Sequence, residues 1–509
     1  MSRFSLAAST ALVTLFAAGA VRADVTADDV WQNIRAYAGA FGGSLSVETA
    51  RSGNKLKVGE LTMHWGLPMD AGRVSLTQSG FDLVEQGDGT VAVVIPQDFA
   101  IHFAVEPMDK PRMAGTGVLG HDGMVIVASG QPGDVTYTSS VGSMTVTVTD
   151  LEIPEVEAAE AEISVTMTDF TSEQRVVVDK VVSLTGRTQY ATQDMVMNYV
   201  GPGNANIEST AKISGASATY ALDLPRNGMD VLNLAAAIRD GLKGHVASEM
   251  QGYETQQSIR IDGERVQEQH NSFGLYTFGM SLDRDGVSME GTGKDAKVRA
   301  YMPEVMPLDL EFAAESTAGR FVLPISAGEQ LQEAAISVDV TGLTVGDMLW
   351  GLIDPGMTIP RDPATLRLDL TAQVKSYLDW LDFMTVGASM EAGEVPGELH
   401  AVTLKDFTLE AAGASLTGSG EATFDNTDLE TFKGFPKPTG TLDMTLKGAN
   451  TLIDRLTGIG ALSDDEAMGA RMGIGMMAKP APELGEDVLK SHIELTGEGH
   501  VMANGIRMR

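Results

Sequence analysis

The hydrophobic pattern of this chain changes period once, early, and then holds. Val30, Ile34, Tyr37 and Phe41 recur at helical spacing with Trp31 beside them. They follow Thr26-Ala-Asp28-Asp29, a hydroxyl cap with an acid three residues on, so a helix is predicted there. Gly42-Gly43 ends it. Beyond, apolar and polar residues alternate: Lys55 to Trp65, Thr90 to Ile95 and Ser143 to Thr149 read as half-buried strands. Asp88-Gly89, Asp122-Gly123, Asp262-Gly263, Asp285-Gly286 and Asn504-Gly505 punctuate such runs and predict hairpin turns. The expected fold is mainly β, of the α+β kind: an elongated, curved antiparallel sheet of duplicated meanders with a few helices packed on one face.

The helices recur in one grammar. Ala221–Leu224 is a strand and a helix is predicted from Asp230 to about Met250. Leu366–Thr371 precedes a predicted helix over Lys375–Met384, and Leu442–Leu446 precedes one over Asn450–Leu456. Gly286–Lys294 (GVSMEGTGK) also parallels Gly413–Glu421 (GASLTGSGE), with Phe278 and Phe407 upstream and Leu-Asp strands following at Leu308 and Leu442. Gly215–Thr219 reads as a worn third copy. Both similarities point to duplication. The turn Pro225-Arg-Asn-Gly228 marks the expected division. Residues 24–228 make an N-terminal helix-plus-meander half, and 229–509 a C-terminal half carrying the strand-helix repeats.

Residues 1–23 have a different character. Arg3 gives a positive start, Ser5 to Val21 is almost wholly small or apolar, and Val21-Arg22-Ala23 offers a cleavage site. This is the pattern of a secretory signal peptide, cut after Ala23. The expected location is the periplasm, with secretion as the alternative. The apolar run falls short of the ~20 residues of a span, and no second one exists, so no integral membrane span is expected after cleavage.

Composition narrows the chemistry. With 0 Cys there are no disulfides, no Cys-ligated metal and no thiol nucleophile. A net charge of −33 opposes nucleic acid and anionic headgroups, so no nucleic-acid partner is expected. The acidity reads as solubility of an exported protein, a cation-binding surface being the alternative. Glu152, Glu155, Glu157, Glu160 and Glu162 lack calcium-loop spacing and read as a solvated edge. Aromatic content of 6% argues against a carbohydrate-stacking platform.

No motif survives inspection as a catalytic site. Gly115-Thr-Gly117-Val-Leu-Gly120 has dinucleotide-loop spacing, but a turn and a strand follow it where a helix is required. Asp283-Arg-Asp285-Gly286 reads as a hairpin turn for want of a closing acid, and no GxSxG elbow is present. None of the histidines has HxH or HExxH spacing; His492, His500 and Glu494 would form a three-ligand site only if a hairpin brought them together. No cofactor, metal or catalytic residue is therefore assigned. Met is abundant at 27. Met468, Met472, Met476 and Met477 follow the cap Ser463-Asp-Asp-Glu466 at near-helical spacing and are expected to pack a helix on the sheet, an adaptable surface for an acyl chain or peptide being the alternative.

Two stretches carry a resemblance. One is Trp350-Gly-Leu-Ile-Asp354-Pro355-Gly356 continuing through Pro360-Arg-Asp362-Pro363. The other is Leu446-Lys-Gly-Ala-Asn450 continuing to Ala503-Asn504-Gly505. With Asp29-Val-Trp31 they resemble the domain of unknown function 2125, an uncharacterised family of alphaproteobacterial exported proteins. The strand-helix grammar is more distantly similar to the AsmA-like and YdgA-like envelope proteins. That resemblance implies long curved sheets and a link to lipid or outer-membrane homeostasis. The family brings no catalytic residues. Trp31, Trp350, Asp354, Pro355, Gly356, Pro360, Asp362, Pro363, Asn450, Asn504 and Gly505 are accordingly assigned structural roles, with Pro355 and Gly356 ending a short helix and Asp362-Pro363 opening the next strand. The functional expectation is a non-enzymatic periplasmic protein that binds a lipid or other apolar small molecule in a curved-sheet groove. An envelope scaffold pairing with a partner protein through open strand edges stands second, and a metal-dependent hydrolase third.

Overall fold

The computed structural model describes residues 24–67, 71–152, 160–201, 204–230, 233–303 and 306–508. Residues 1–23, where a cleavable signal is expected, and Glu155 and Glu157 of the acidic run lie outside these. The described residues lay 27 strands into one antiparallel sheet. Its first strand, β1 (Ser44–Ser52), pairs with β2 (Lys55–Gly66). β2 then carries two strands end to end, β3 (Gly72–Gln78) and β4 (Phe81–Glu85). These continue as β5 (Val91–Val94) beside β4 and β6 (Asp98–Pro107) beside β3. β7 (Met113–His121) follows β6, β8 (Val125–Gln131) follows β5, and both close on β9 (Asp134–Glu152). β10 (Glu160–Val178), β11 (Val181–Gly201) and β12 (Ala205–Pro225) are a plain meander.

The end-to-end arrangement then repeats. β12 carries β13 (Lys243–Met250) and β14 (Gly252–Ile261). β15 (Glu264–Phe273) and β16 (Tyr276–Leu282) extend them, and both close on β17 (Val287–Met302). From there β18 (Met306–Leu323), β19 (Gln332–Val345), β20 (Ala364–Ser376), β21 (Gly397–Ala411), β22 (Ala414–Asp425) and β23 (Lys437–Lys447) each pair with the strand before. β24 (Lys479–Pro480) and β26 (Val501–Ala503) flank β25 (Val488–Leu495), which joins β23, and β27 (Ile506–Arg507) ends the sheet. Pairing is unbroken across residue 228.

The helices are α1 (Ala27–Ala40), α2 (Leu234–Arg239), α3 (Asp347–Ile353), α4 (Phe383–Glu391), α5 (Ala449–Gly458) and α6 (Asp464–Met477). α1 starts at the expected capping box, in which Asp29 N–H donates to Thr26 and the Asp29 carboxylate accepts from Thr26 N–H. Its apolar face builds one core with Leu56, Val58, Leu83 and Val91. Trp31, 4% exposed, meets Phe81 edge-on there. Buried Asn33 is satisfied from both sides: it donates to Val176 O at 3.0 Å and accepts from Tyr137 OH at 2.9 Å. Burial pushes the Tyr137 phenol above its ordinary pKa. A second core gathers Val176, Val182, Leu224, Ile238 and Ile325 with Trp380 and Leu381, roofed by α2.

Three local expectations are corrected. The helix expected over 230–250 is only α2; Gly241 turns the chain at φ 106, and His245 to Met250 extend as β13 between β12 and β16. The helix expected over 375–384 is displaced to α4. Lys375 and Ser376 still pair with β21, Trp380 and Leu381 are drawn into the second core, and Asp382 caps α4 by accepting from Thr385 N–H at 3.1 Å. In both places strand partners override helix propensity. Asp122-Gly123 does not close a hairpin, because β7 and β8 both pair with β9 and lie end to end.

The repeat has a structural counterpart. Phe278 on β16 is the direct partner of Gly291 on β17, and Phe407 on β21 is the direct partner of Gly418 on β22. Each glycine stands at the same place in its parallel segment, directly across the strand pair from the phenylalanine. Gly215 is not a hairpin of this kind; it lies inside β12.

Candidate functional site

One irregular line crosses the sheet. It passes between β3 and β4, then through Gly142 opposite Asp169, Ala191 opposite Gly215, the β13–β14 and β15–β16 junctions, Asp295 opposite Glu315, and Gly342. Asp169 (φ 50), Gly215 (φ 56), Asp295 (φ 53) and Gly342 (φ 72) are left-handed, a conformation glycine adopts freely and aspartate tolerates. At Gly80, between β3 and β4, an added Cβ would lie 2.5 Å from Val58 O, so only glycine permits the close approach.

Along this crease each strand gains one residue. Inward-facing positions step by three instead of two: Met167 to Phe170, Ile213 to Ala216, Gly293 to Ala296. Gly293 and Ala296 are buried while Lys294 and Asp295 between them are exposed. Two consecutive outward residues are the mark of a bulge, so the same side of the sheet remains apolar on both wings. β2 shows this directly: Leu56, Val58, Leu61 and Met63 all join the core under α1. Val141, Ala216, Ala296 and Ala314 beside the crease are at most 8% exposed on the inner side, whereas Gly142, Asp169, Gly215, Asp295 and Glu315 are exposed on the outer. The sheet is therefore folded inward along the crease, making a trough with two walls.

Below the crease, the inner face of β1 and β4 carries Arg51 and Glu85, which pair with each other beside the start of α1; from β9 to β26 the described inward positions carry no charge. One cross-strand row runs Tyr137, Gln174, Gly186, Tyr220, Val246, Met280, Met289, Phe321, Ile336, Leu370, Leu404, Gly420, Leu442, Ile493 and Ala503, each the direct partner of the next. At ~4.8 Å per strand that row is roughly 70 Å long. The neighbouring outward row includes Glu173, Arg187, Glu290, Arg320, Asp369 and Asp406. Helices cover only part of the inner face. Under α1, Val58 and Leu83 are 0% exposed; further along the sheet Met280, Met289, Phe321 and Ile336, adjacent in one row, are 36–40% exposed.

The outer face carries depressions in which charged and polar residues are mixed with apolar surface. One of about 970 Å³ is lined by Arg265, Glu268, Arg299 and Tyr301. Its Arg265 is already engaged, stacked 3.5 Å from the Tyr301 ring centroid and paired with Glu268 at 3.0 Å.

The residues singled out from sequence lie apart from the trough's open stretch, in three places. Trp31 is in the α1 core. Trp350 lies in α3, and Asp354, Pro355, Gly356, Pro360, Asp362 and Pro363 fall in the connection from α3 to β20. Asp354 there is 0% exposed, and its carboxylate accepts from Ile359 N–H at 2.7 Å. The backbone N–H groups of Ile359 and Thr358 hold its pKa below the ordinary carboxylate value. Arg361 donates to Asp354 O at 2.9 Å and lies over the Trp350 ring. The left-handed residue of this turn is Met357 (φ 53), not Gly356. Asn450 donates to Asp487, whose carboxylate also accepts from Thr451 N–H at the start of α5. Asn504, left-handed before Gly505, accepts from His492 N–H and donates to Met477 O, tying the β26–β27 turn to α6.

Other candidates resolve plainly. Gly115 to Gly120 lie within β7. His492 pairs with Asp443 at 2.7 Å, and among the described residues no group of three His, Asp or Glu could hold a metal. The methionine helix does not pack on the sheet as expected: Met468, Met472 and Met476 are 58–64% exposed, and Ala467 is the residue α6 buries. A curved-sheet groove is expected from the sequence, but not the residues that line it. Their signals were the absence of charge from one parity of strand after strand and the step of three at Asp169, Gly215 and Asp295.

Comparison with known proteins gives one finding. Residues 277–508 match the family described as "Uncharacterized protein conserved in bacteria (DUF2125)". The match takes in the Trp350–Pro363 and Asn450–Gly505 segments; Trp31 lies outside it. No curated protein matches the chain and no solved structure matches it, so the AsmA-like similarity has no counterpart there.

Proposed function

We propose, from a chain whose residues 277–508 belong to the DUF2125 family, a non-enzymatic periplasmic protein that holds an apolar ligand, a lipid acyl chain, in the trough. The observation that carries this reading is the charge-free row from Tyr137 to Ala503, partly uncovered at Met280, Met289, Phe321 and Ile336. A charge on that face would have to be desolvated beneath a ligand, at a cost of several kcal/mol. Its absence while the outer face is rich in charge is what an apolar occupant requires. Each methylene buried there contributes roughly 0.8 kcal/mol. Ten would contribute roughly 8 kcal/mol before the costs of association, so no special ligand-binding residue is needed.

Native mass spectrometry of protein purified from its own periplasm, followed by organic extraction, tests this. Expected is a stoichiometric lipid, lost in Phe321→Asp. An empty, monodisperse protein that also fails to take up N-phenylnaphthylamine, a neutral apolar dye, would overturn it. The envelope-scaffold reading rests on a different observation: among the described residues the outer edge of β1 pairs with no strand, leaving a nine-residue edge for strand addition. Crosslinking that captures a partner on β1 of an empty protein would favour it.

A further inference from the structure

The trough's upper wall, on the far side of the crease from α2, is not uniformly apolar. Its rows begin with methionine, valine and isoleucine on β9 to β11: Val146, Val165 and Met195, then Val148, Ile163 and Met197. On β17 and β18 they end with Val298 and Phe312, then Ala300 and Leu310. Between these flanks the same inner face turns to amides and hydroxyls. Met197 is followed by Ser209, Gln257 and Gln269, each the partner of the next. The adjacent rows place Thr255 beside Asn271 and Ile259 beside Gln267.

Part of this island is wired internally. Gln269 donates to Asn271 Oδ1 and Asn271 donates to Thr255 Oγ1, both at 3.3 Å. The amides of Gln257 and Gln267 have no hydrogen-bond partner among the described residues, and both side chains are half-buried on the inner face. Water reaches these amides in the open trough, but beneath an apolar occupant they would be desolvated without partners, so their clustering in the middle of an apolar wall calls for a polar occupant there. No Lys, Arg, Asp or Glu stands on the inner face in these rows. The group that fits is uncharged and both donates and accepts, as an amide does. An anionic head would find no counter-charge and a chain of net charge −33 around it.

We infer that the amide island of β14 and β15 is the headgroup subsite of the trough, and that the ligand is an amphiphile with a neutral, hydroxyl- or amide-bearing head whose chain lies on the apolar rows beside it. This rests on the trough holding an apolar chain.

The test is displacement of N-phenylnaphthylamine from the full mature chain by 1-decanoylglycerol and by decanoate, two probes with the same chain length and different heads. Two or three hydrogen bonds to the island predict that the neutral probe displaces the dye at roughly tenfold lower concentration than the anion. Gln257→Leu/Gln269→Leu should bring the two probes within about threefold of each other, each displacement being referred to the variant's own dye affinity. Ser258→Ala, on the outer face of the same strand, should leave the preference intact and controls for loss of fold. Equal displacement by both probes, or a preference that survives the double substitution, overturns the headgroup subsite and leaves the apolar trough standing. Failure of the dye to bind at all overturns both.

Discussion

The trough is built twice over from the same material, and its two ends behave differently. On β2, β4 and β5 the inner face lies under α1, and Leu83, Val58 and Val91 are fully buried. On β16 to β19 the inner face is just as apolar, yet Met280, Met289, Phe321 and Ile336 keep more than a third of their surface exposed. The pattern along each strand is the same. What differs is a covering element. The first end is a core in the ordinary sense; the second is a surface with the composition of a core, which is what a site for an apolar occupant looks like before the occupant arrives.

Substitutions can break this comparison, beginning with the largest effect. Leu83→Ala should cost about 2–5 kcal/mol in urea unfolding, because it opens a cavity beneath α1. Phe321→Ala, a larger truncation, should cost within about 1 kcal/mol in the same measurement, because its side chain has little packing to lose. Equal costs would mean that the second end is covered as well. Gly186→Ala should come next, at about 1–3 kcal/mol. Its Cβ would fall 2.4 Å from Cζ of the Tyr220 ring, the direct cross-strand partner of Gly186. The readout is the unfolding midpoint together with quenching of tyrosine fluorescence. Thr26→Ala removes the α1 cap and should cost about 1 kcal/mol, with amide exchange accelerating in α1 and its core before β16 to β19.

The smallest effect sharpens the contrast through pH. Asp428, in the connection from β22 to β23, accepts from Thr431 N–H and its hydroxyl and pairs with Lys437 at 3.1 Å. The backbone N–H of Thr431, its hydroxyl and then Lys437 lower the Asp428 pKa from 3.8 to about 2. A carboxyl depressed in the folded state adds stability that is present above pH 3.8 and is lost as pH falls through about 2. Acid should therefore loosen the β22–β23 connection within that window, and Asp428→Asn should flatten this part of the acid limb. Hydrogen exchange across pH 2–4 reads both; an unchanged acid limb in the variant would show that the pair does not hold this connection.

Much of this was written locally. The α1 capping box, the alternation of β2 and the turns at Asp88-Gly89, Asp262-Gly263 and Asp285-Gly286 follow from neighbours in sequence, because caps and hairpins are closed by residues a few positions apart. The parallel between Gly286–Lys294 and Gly413–Glu421 was likewise legible, and the Phe278–Gly291 and Phe407–Gly418 pairs give it a common geometry. The site was legible only in pieces: strand after strand from β9 onward shows one charge-free parity, but nothing local says that those parities share a face. Tertiary structure decided that. It made His245 to Met250 a strand by supplying β12 and β16 as partners, and it drew Trp380 into a core where a helix was expected. It also aligned Asp169, Gly215, Asp295 and Gly342 into one crease. Periodicity states what a residue can bury, but the surface it buries against comes from strands and helices far away along the chain.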